Sequence, residues 1–314
     1  MHSGPSRRTA ISVAFVVNPA SANGSTGRRW PEIAREAADA GLAGETRFSE
    51  HSGHVAELAR EAAENGVELI VVVGGDGTVN EAVNGLMDVR PEARPELAVL
   101  PRGTGTDFVR TFRIPTGVAD AVAVAGSGRA LAIDAGRVTY RSWSGAEESA
   151  YFANIASAGM SGAVAQRANS SSKALGGKIS FLWATLAVFA RWRNAEIVVE
   201  VDEERRGGLM YDVIVANCRY LAGGMHMTPT ADPSDGLFDV LLIGDITKTD
   251  LVLTLPKVYR GTHLPHPKAE LLRGRRVVVD APTPLPIELD GEQPGTTPAS
   301  FEIVPEALRL RIPG

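Results

Sequence analysis

Residues 68–85, ELIVVVGGDGTVNEAVNG, constrain the fold of this chain more than any other stretch. An apolar, β-branched run from Leu69 to Val73 stops at Gly74-Gly75-Asp76-Gly77-Thr78, and an amphipathic segment follows from Val79. The pattern predicts a buried strand, a glycine turn and a helix. Thr78 and Glu81 have the T-x-x-E spacing of a capping box, which predicts a helix start at Thr78. Free N–H groups and the positive end of the helix dipole then face the turn. Residues without Cβ let the backbone approach a phosphate there. Asp76 is an acid where a pure anion site has none, which points to a metal ion or a metal-held water. A plain tight βα turn would show the same glycines. The spacing is neither G-x-G-x-x-G nor a P-loop, since no Gly-Lys-Ser/Thr follows.

With 314 residues, 44% hydrophobic and 22% charged, the chain can build two domains with a core in each. A net charge of −5 and a pI near 5.8 argue against a nucleic-acid binder. The single cysteine, Cys218, cannot form an internal disulfide, so a reducing compartment is expected, and its apolar strand-like setting makes it a packing residue. Arg7-Arg8, the run Ala10–Val17 and Ala20-Ser21-Ala22 imitate a secretory signal. That run is at the short limit for such a segment, and Ile11–Val17 serves as a first strand, so the signal reading is set aside. No run approaches the roughly 18 apolar residues of a membrane span.

The first strand ends in Asn18-Pro19-Ala20-Ser21, and Asn23–Arg29 reads as a polar glycine-bearing loop. A helix (Pro31–Ala40), a strand (Thr46–Phe48), a helix (Gly53–Asn65) and the central strand then alternate in the βαβ rhythm of a mostly parallel sheet. Leu97–Leu100 is another strand, and Pro101-Arg102-Gly103-Thr104-Gly105-Thr106-Asp107 is a second glycine-rich loop that opens a short helix. Gly117–Ala125 closes this half as a helix. Beyond about Leu131, strands dominate: Ala130–Thr139, Ser149–Ser157, Ala195–Asp202, Leu209–Ala216, Phe238–Ile243, Arg276–Asp280, Pro286–Leu289 and Leu308–Ile312, with helices at Leu175–Phe189 and Lys248–Val258. The expected architecture is an α/β N-terminal domain with a mostly parallel sheet (1–128) and a β-rich, sandwich-like second domain (129–314), the last strand (about 300–314) being a candidate to return to the first. His263 and His266, in a proline-bearing loop, read as solvated.

Asn18-Pro19-Ala20-Ser21, Gly74–Gly85, PRGTGTDFVR (Pro101–Arg110), NCRYLAGGMHMTPTADPSDGLFDV (Asn217–Val240), Gly261-Thr262-His263-Leu264 and Asp290-Gly291-Glu292 together resemble the bacterial diacylglycerol kinase-like lipid kinases. GGDGT alone is similar to a phosphate-binding signature shared with NAD kinases and phosphofructokinases. The late DGE and the ADPSDGLFDV stretch are the companions that those two lack. Two positions depart from the family pattern: Thr106 stands where Asn is common, and Ala22 where Gly is usual.

The resemblance implies an NAD kinase/phosphofructokinase-like first domain and an ATP site between the domains. It implies nucleotide contacts at Asn18, Ser49, Gly74, Gly75, Asp76, Gly77, Thr78, Asn80, Glu81, Gly103 and Thr104. Asp235, with the main-chain oxygens of Asp232 and Leu237, matches a supporting Mg²⁺ site; without the family this turn reads as a surface β-turn. Glu292 matches a general base, and Asp290-Gly291 by itself is an ordinary hairpin signal. The expectation is therefore an ATP- and Mg²⁺-dependent kinase acting on a lipid hydroxyl, with diacylglycerol giving phosphatidate. Such an enzyme works peripherally at a cytoplasmic membrane surface; Lys178–Arg193, basic at both ends and apolar between, reads equally as the contact or as a core helix. A sphingoid base, another lipid or polyketide alcohol, NAD as acceptor, or a silent nucleotide-binding regulator stay open, as does a homodimer.

Overall fold

The computed structural model describes residues 11–103, 105–170 and 188–314. In the first half, β1 (Val13–Val17), β2 (Glu45–Phe48), β3 (Leu69–Gly74) and β4 (Glu96–Pro101) form a parallel sheet in the spatial order β2-β1-β3-β4. Helices α1 (Ser25–Asp39), α2 (His54–Glu64) and α3 (Asp76–Met87) connect them, and α4 (Asp107–Thr111) and α5 (Val118–Ser127) follow β4. All of β1 and β3 is buried because helices cover both faces. Val55, Ala59, Val83 and Leu86 pack with Ile70 and Val72 on one side; Trp30, Ile33 and Ala121 pack with Val71 and Val73 on the other.

The chain leaves β1 toward β2 and returns on the opposite side as β3. The strand order thus reverses between β1 and β3, and the carboxyl ends of those strands are the position at which open α/β sheets bind ligands. The polar loop expected over 23–29 is a correction: α1 already begins at Ser25. Thr26, Trp30, Ile33 and Ala37 continue one buried stripe, which extends the helix a turn earlier and leaves Pro31 on its exposed side.

The second half is antiparallel: β5 (Arg129–Ser142), β6 (Glu147–Phe152), β7 (Ile155–Gly159), α6 (Met160–Ser170), β8 (Ala195–Val201), β9 (Glu204–Ala216), β10 (Tyr220–Leu221), β11 (Met225–His226), β12 (Phe238–Gly244), α7 (Lys248–Arg260), β13 (Ala269–Gly274), β14 (Arg276–Asp280), β15 (Ile287–Leu289) and β16 (Gly295–Ile312). Strand β8 alternates, with Ile197, Val199 and Val201 inward, because only one face meets the core. That core is centred on Phe152, which stacks on Phe238 at 5.7 Å and meets Phe301 edge-on at 6.2 Å. Strand β16 runs antiparallel to β5 and β14, then pairs parallel with β4 at Arg309 and Leu310, so one hydrogen-bonded sheet passes through both halves.

The single strand expected over Ser149–Ser157 is two strands. Ala153, Asn154 and Ile155 turn their N–H groups to the Asp290 carboxylate, which breaks the run between β6 and β7. Most of the expected helix Leu175–Phe189 and of the contact stretch Lys178–Arg193 lies outside the described residues. Among those described, no helix is long and apolar enough to cross a membrane.

Candidate active site

Helix α3 starts at Asp76, with extended Gly75 before it and no side-chain cap. The predicted capping box is therefore a correction. Thr78 Oγ1 accepts from Asn18 Nδ2 at 3.1 Å, and Glu81 Oε2 accepts from Val55 N, at the start of α2, at 3.2 Å. Both side chains lie inside the helix, where they reach neighbouring elements instead of their own orphan donors. Thr78 thereby joins the end of β1 to the first turn of α3, across the point where strand order reverses.

The two glycine loops meet backbone to backbone. Arg102 N donates to Gly74 O at 2.7 Å, and a Cβ on Gly103 would stand 2.7 Å from Gly75 Cα. A Cβ on Gly74 would collide with the Thr78 side chain. Glycine is needed at these positions for close approach, since neither lies in the left-handed region.

The carboxylate of Asp76 accepts from Asp107 N at 3.2 Å and Phe108 N at 3.3 Å, which caps α4 and ties the second loop to the first. Burial, and then the charge of Asp107, push its pKa up to about 6. Asp107 is itself buried, and burial raises its pKa. Its Oδ2 accepts from Gly223 N of the β10–β11 hairpin at 2.7 Å, while Oδ1 is buried without a partner. Ser49 sits buried after β2 at the same carboxyl edge, with its N–H on Val17 O at 2.9 Å. Arg102, passed over in the sequence reading, brings a cation to the second loop; its Nε is buried and unpaired. Thr104 lies outside the described residues.

Glu292 comes from the other half. Leu289 and Glu292 exchange N–H···O bonds of 2.8 and 2.9 Å around Asp290 (φ 50°) and Gly291 (φ 95°), a two-residue hairpin loop with both central residues left-handed. The exposed Glu292 carboxylate stands over the first turn of α3, with Oε1 3.7 Å from where a Cβ on Gly77 would sit.

The turn is clamped from below by two acids, Asp290, which reads in the sequence only as a hairpin signal, and Glu288; a third buried acid, Asp212, stands on β9. Asp290 accepts four bonds of 3.0 Å, from Ala153 N, Asn154 N, Ile155 N and Asn80 Nδ2. Burial raises its pKa and those donors oppose the rise. Glu288 accepts from Ser157 Oγ at 3.0 Å and from Gly291 N, and burial pushes it up to about 8. Asp212, bonded by Ser161 N and Oγ, is pushed by burial up to about 7. Asn80 also donates to Tyr151 O, and Asn84, one turn on, exchanges bonds with Tyr151, so α3 is stapled to β6. The Asn80 amide therefore faces the DGE turn.

The Asp232–Leu237 turn does not fit a magnesium ion as it stands. Asp235 Oδ2 is held by Arg273 and its Oδ1 accepts from Leu237 N at 3.0 Å, while Asp232 Oδ1 accepts from Ser234 N and Oγ. A cation would have to displace a guanidinium. Among the described residues, no three His, Cys, Asp or Glu side chains are grouped as a metal site.

Two family models match this chain. Residues 12–138 match the diacylglycerol kinase catalytic domain, and residues 154–312, half of the chain, match the YegS C-terminal NAD kinase beta sandwich-like domain. The chain belongs to the diacylglycerol kinase-like family. A diacylglycerol kinase of Staphylococcus carnosus is 26% identical over 95% of this chain and 94% of its own. One of Staphylococcus aureus is 26% identical over 91% and 88%. The crystal structure of a diacylglycerol kinase from Bacillus anthracis superposes with a TM-score of 0.72 at 19% identity, covering 96% of each chain. Yeast NADH kinase, solved with NADH, shares the fold at a TM-score of 0.53 and 11% identity, over 96% of this chain and 83% of that one. The family bears out the two-part architecture, supports a kinase, and implies ATP as phosphate donor.

Proposed function

We propose that this protein transfers the γ-phosphoryl group of ATP to a lipid hydroxyl, with diacylglycerol as acceptor and phosphatidate as product. The observation that carries the reading is the Glu292 carboxylate over the first turn of α3, an acid from one half facing the glycine loops from the other. Phosphoryl transfer needs alignment and charge neutralisation more than covalent chemistry. The N–H groups of Gly75 to Thr78, the positive end of α3 and the Arg102 guanidinium supply these to the phosphate chain. Asp76 holds the two loops in contact, and its raised pKa leaves it ionised at neutral pH. Magnesium enters with the nucleotide as substrate. Glu292 takes the acceptor proton as the hydroxyl oxygen attacks phosphorus and ADP departs. An enzyme of this kind works from the ATP-containing side of a membrane, as a peripheral protein.

The test is labelled ATP with detergent-dispersed diacylglycerol, sphingosine and soluble NAD in parallel. Labelled phosphatidate is the expected product. Transfer to NAD alone overturns the lipid reading, and turnover on none of them supports a silent nucleotide-binding protein.

A further inference from the structure

Helix α7 carries four of the eight large apolar side chains left exposed among the described residues: Val252, Leu253, Leu255 and Tyr259, between 45% and 69% accessible. The other four, Ile11, Phe48, Trp143 and Leu209, are scattered along the chain, as single exposed apolar residues commonly are. At about 100° per residue, Leu255, Tyr259, Val252, Pro256 and Leu253 cover an arc of roughly 160° on one side of the helix. The opposite side holds buried Thr254, with Leu251 and Val258 packed against the Ile246 and Ile214 clusters. Arg260 lies within the exposed arc and Lys257 beside it, while Lys248, also in the arc, donates to Ala190 O. Among the described residues Lys257 and Arg260 have no carboxylate partner. The one acid on the helix, Asp250, is engaged with Thr247 at the N-cap, through bonds of 2.8 and 3.1 Å.

A face that is apolar at its centre and cationic at its margins suits an anionic bilayer surface, where aliphatic side chains enter the acyl boundary and Lys and Arg reach lipid phosphates. Its place in the fold suits this as well. Helix α7 packs on β11, and Gly261 at its end abuts His226, whose ring stacks on Tyr220 at 4.5 Å. The same hairpin donates Gly223 N to Asp107 beside the glycine loops. We propose that the outer face of α7 docks the enzyme on anionic membrane and brings the cleft to its acceptor. This rests on the lipid-kinase reading for why a membrane is needed at all.

The experiment is flotation with vesicles of phosphatidylcholine alone or with about one-third phosphatidylglycerol, using wild type, Leu253→Asp/Leu255→Asp and Lys257→Glu/Arg260→Glu. Wild type should float with the anionic vesicles, and each variant should bind at least tenfold more weakly. Both variants should keep wild-type turnover on detergent-dispersed diacylglycerol while losing it on vesicle-embedded substrate. Wild-type binding by both variants overturns the docking face. A wild-type dimer that the Asp variant converts to monomer, without any change in flotation, assigns the face to a second copy and overturns it too. Wild type inactive on dispersed lipid yet floating with anionic vesicles would remove the kinase reading and leave the docking face standing.

Discussion

Two Asp-Gly turns in the second half read alike in sequence and differ completely in the fold. Asp290-Gly291 is the tip of a hairpin whose aspartate is buried under four hydrogen bonds and whose next residue faces the glycine loops. Asp235-Gly236 lies at the surface, with its aspartate ion-paired to a half-exposed Arg273. The difference teaches that an acid's burial and donors, and not the turn it sits in, decide what it does. The first turn is a clamp between halves that presents Glu292 to the first turn of α3; the second is a capped loop.

The largest effect that would sharpen this contrast comes from Asp290→Ala. It leaves the N–H groups of Ala153, Asn154 and Ile155 unpaired in the interior, and each such group costs about 1–3 kcal/mol. Several kcal/mol of stability should disappear in urea unfolding, and activity with it. A loss below about 1 kcal/mol would mean that the clamp is not one. Next comes Glu292→Gln, two residues along and exposed. It should leave unfolding and nucleotide-analogue binding unchanged and lower kcat by roughly 10²–10⁴, the usual contribution of general base catalysis. Full activity in this variant would remove Glu292 as base.

Glu288→Gln separates the clamp from the chemistry by pH. The folded protein keeps the Glu288 proton up to about pH 8, whereas the unfolded chain releases it near 4.5. The native state therefore binds more protons between those values, and stability falls as pH rises through that window. Gln accepts from Gly291 and can donate to Ser157 without ionising. The variant should match wild type at pH 4 and melt at least about 1.5 °C above it at pH 8, since about 1 kcal/mol moves a chain of 314 residues by that much. Equal melting curves at both pH values would show that Glu288 carries no such burden.

How much of this was legible depends on the range of the forces involved. The parallel half was readable because β3 is an unbroken apolar run ending in glycine, a local signal for a strand buried on both faces. The capping box failed because Thr78 and Glu81 obey partners 60 and 26 residues away, Asn18 and Val55, which no local spacing encodes. The break between β6 and β7 was invisible for the same reason, since Asp290 lies more than 130 residues downstream of the amides it collects. The resemblance singled out Glu292. Asp290 read only as a hairpin signal and Asp107 only as the end of a glycine loop; their roles, and Glu288 altogether, came into view with burial and with the distant amides that they collect.

The smallest effect belongs to the surface turn, and it can break the comparison. The pair between Asp235, 29% accessible, and Arg273, 43% accessible, falls in the class worth about 0–1 kcal/mol. Asp235→Asn should lower stability by no more than that, equally with and without Mg²⁺. Arg273→Gln should cost more, because its Nε also pairs at 2.8 Å with Asp239, whose side chain is 1% accessible and would lose its cation. Both variants should keep kcat. The informative measurement is wild-type melting against Mg²⁺ without nucleotide. No shift is expected while the guanidinium holds Asp235. If Mg²⁺ raises the melting temperature and Asp235→Asn abolishes the rise, Arg273 yields its place to a bound cation. The second turn is then also a built site, and the contrast reduces to which ion each acid was made to hold.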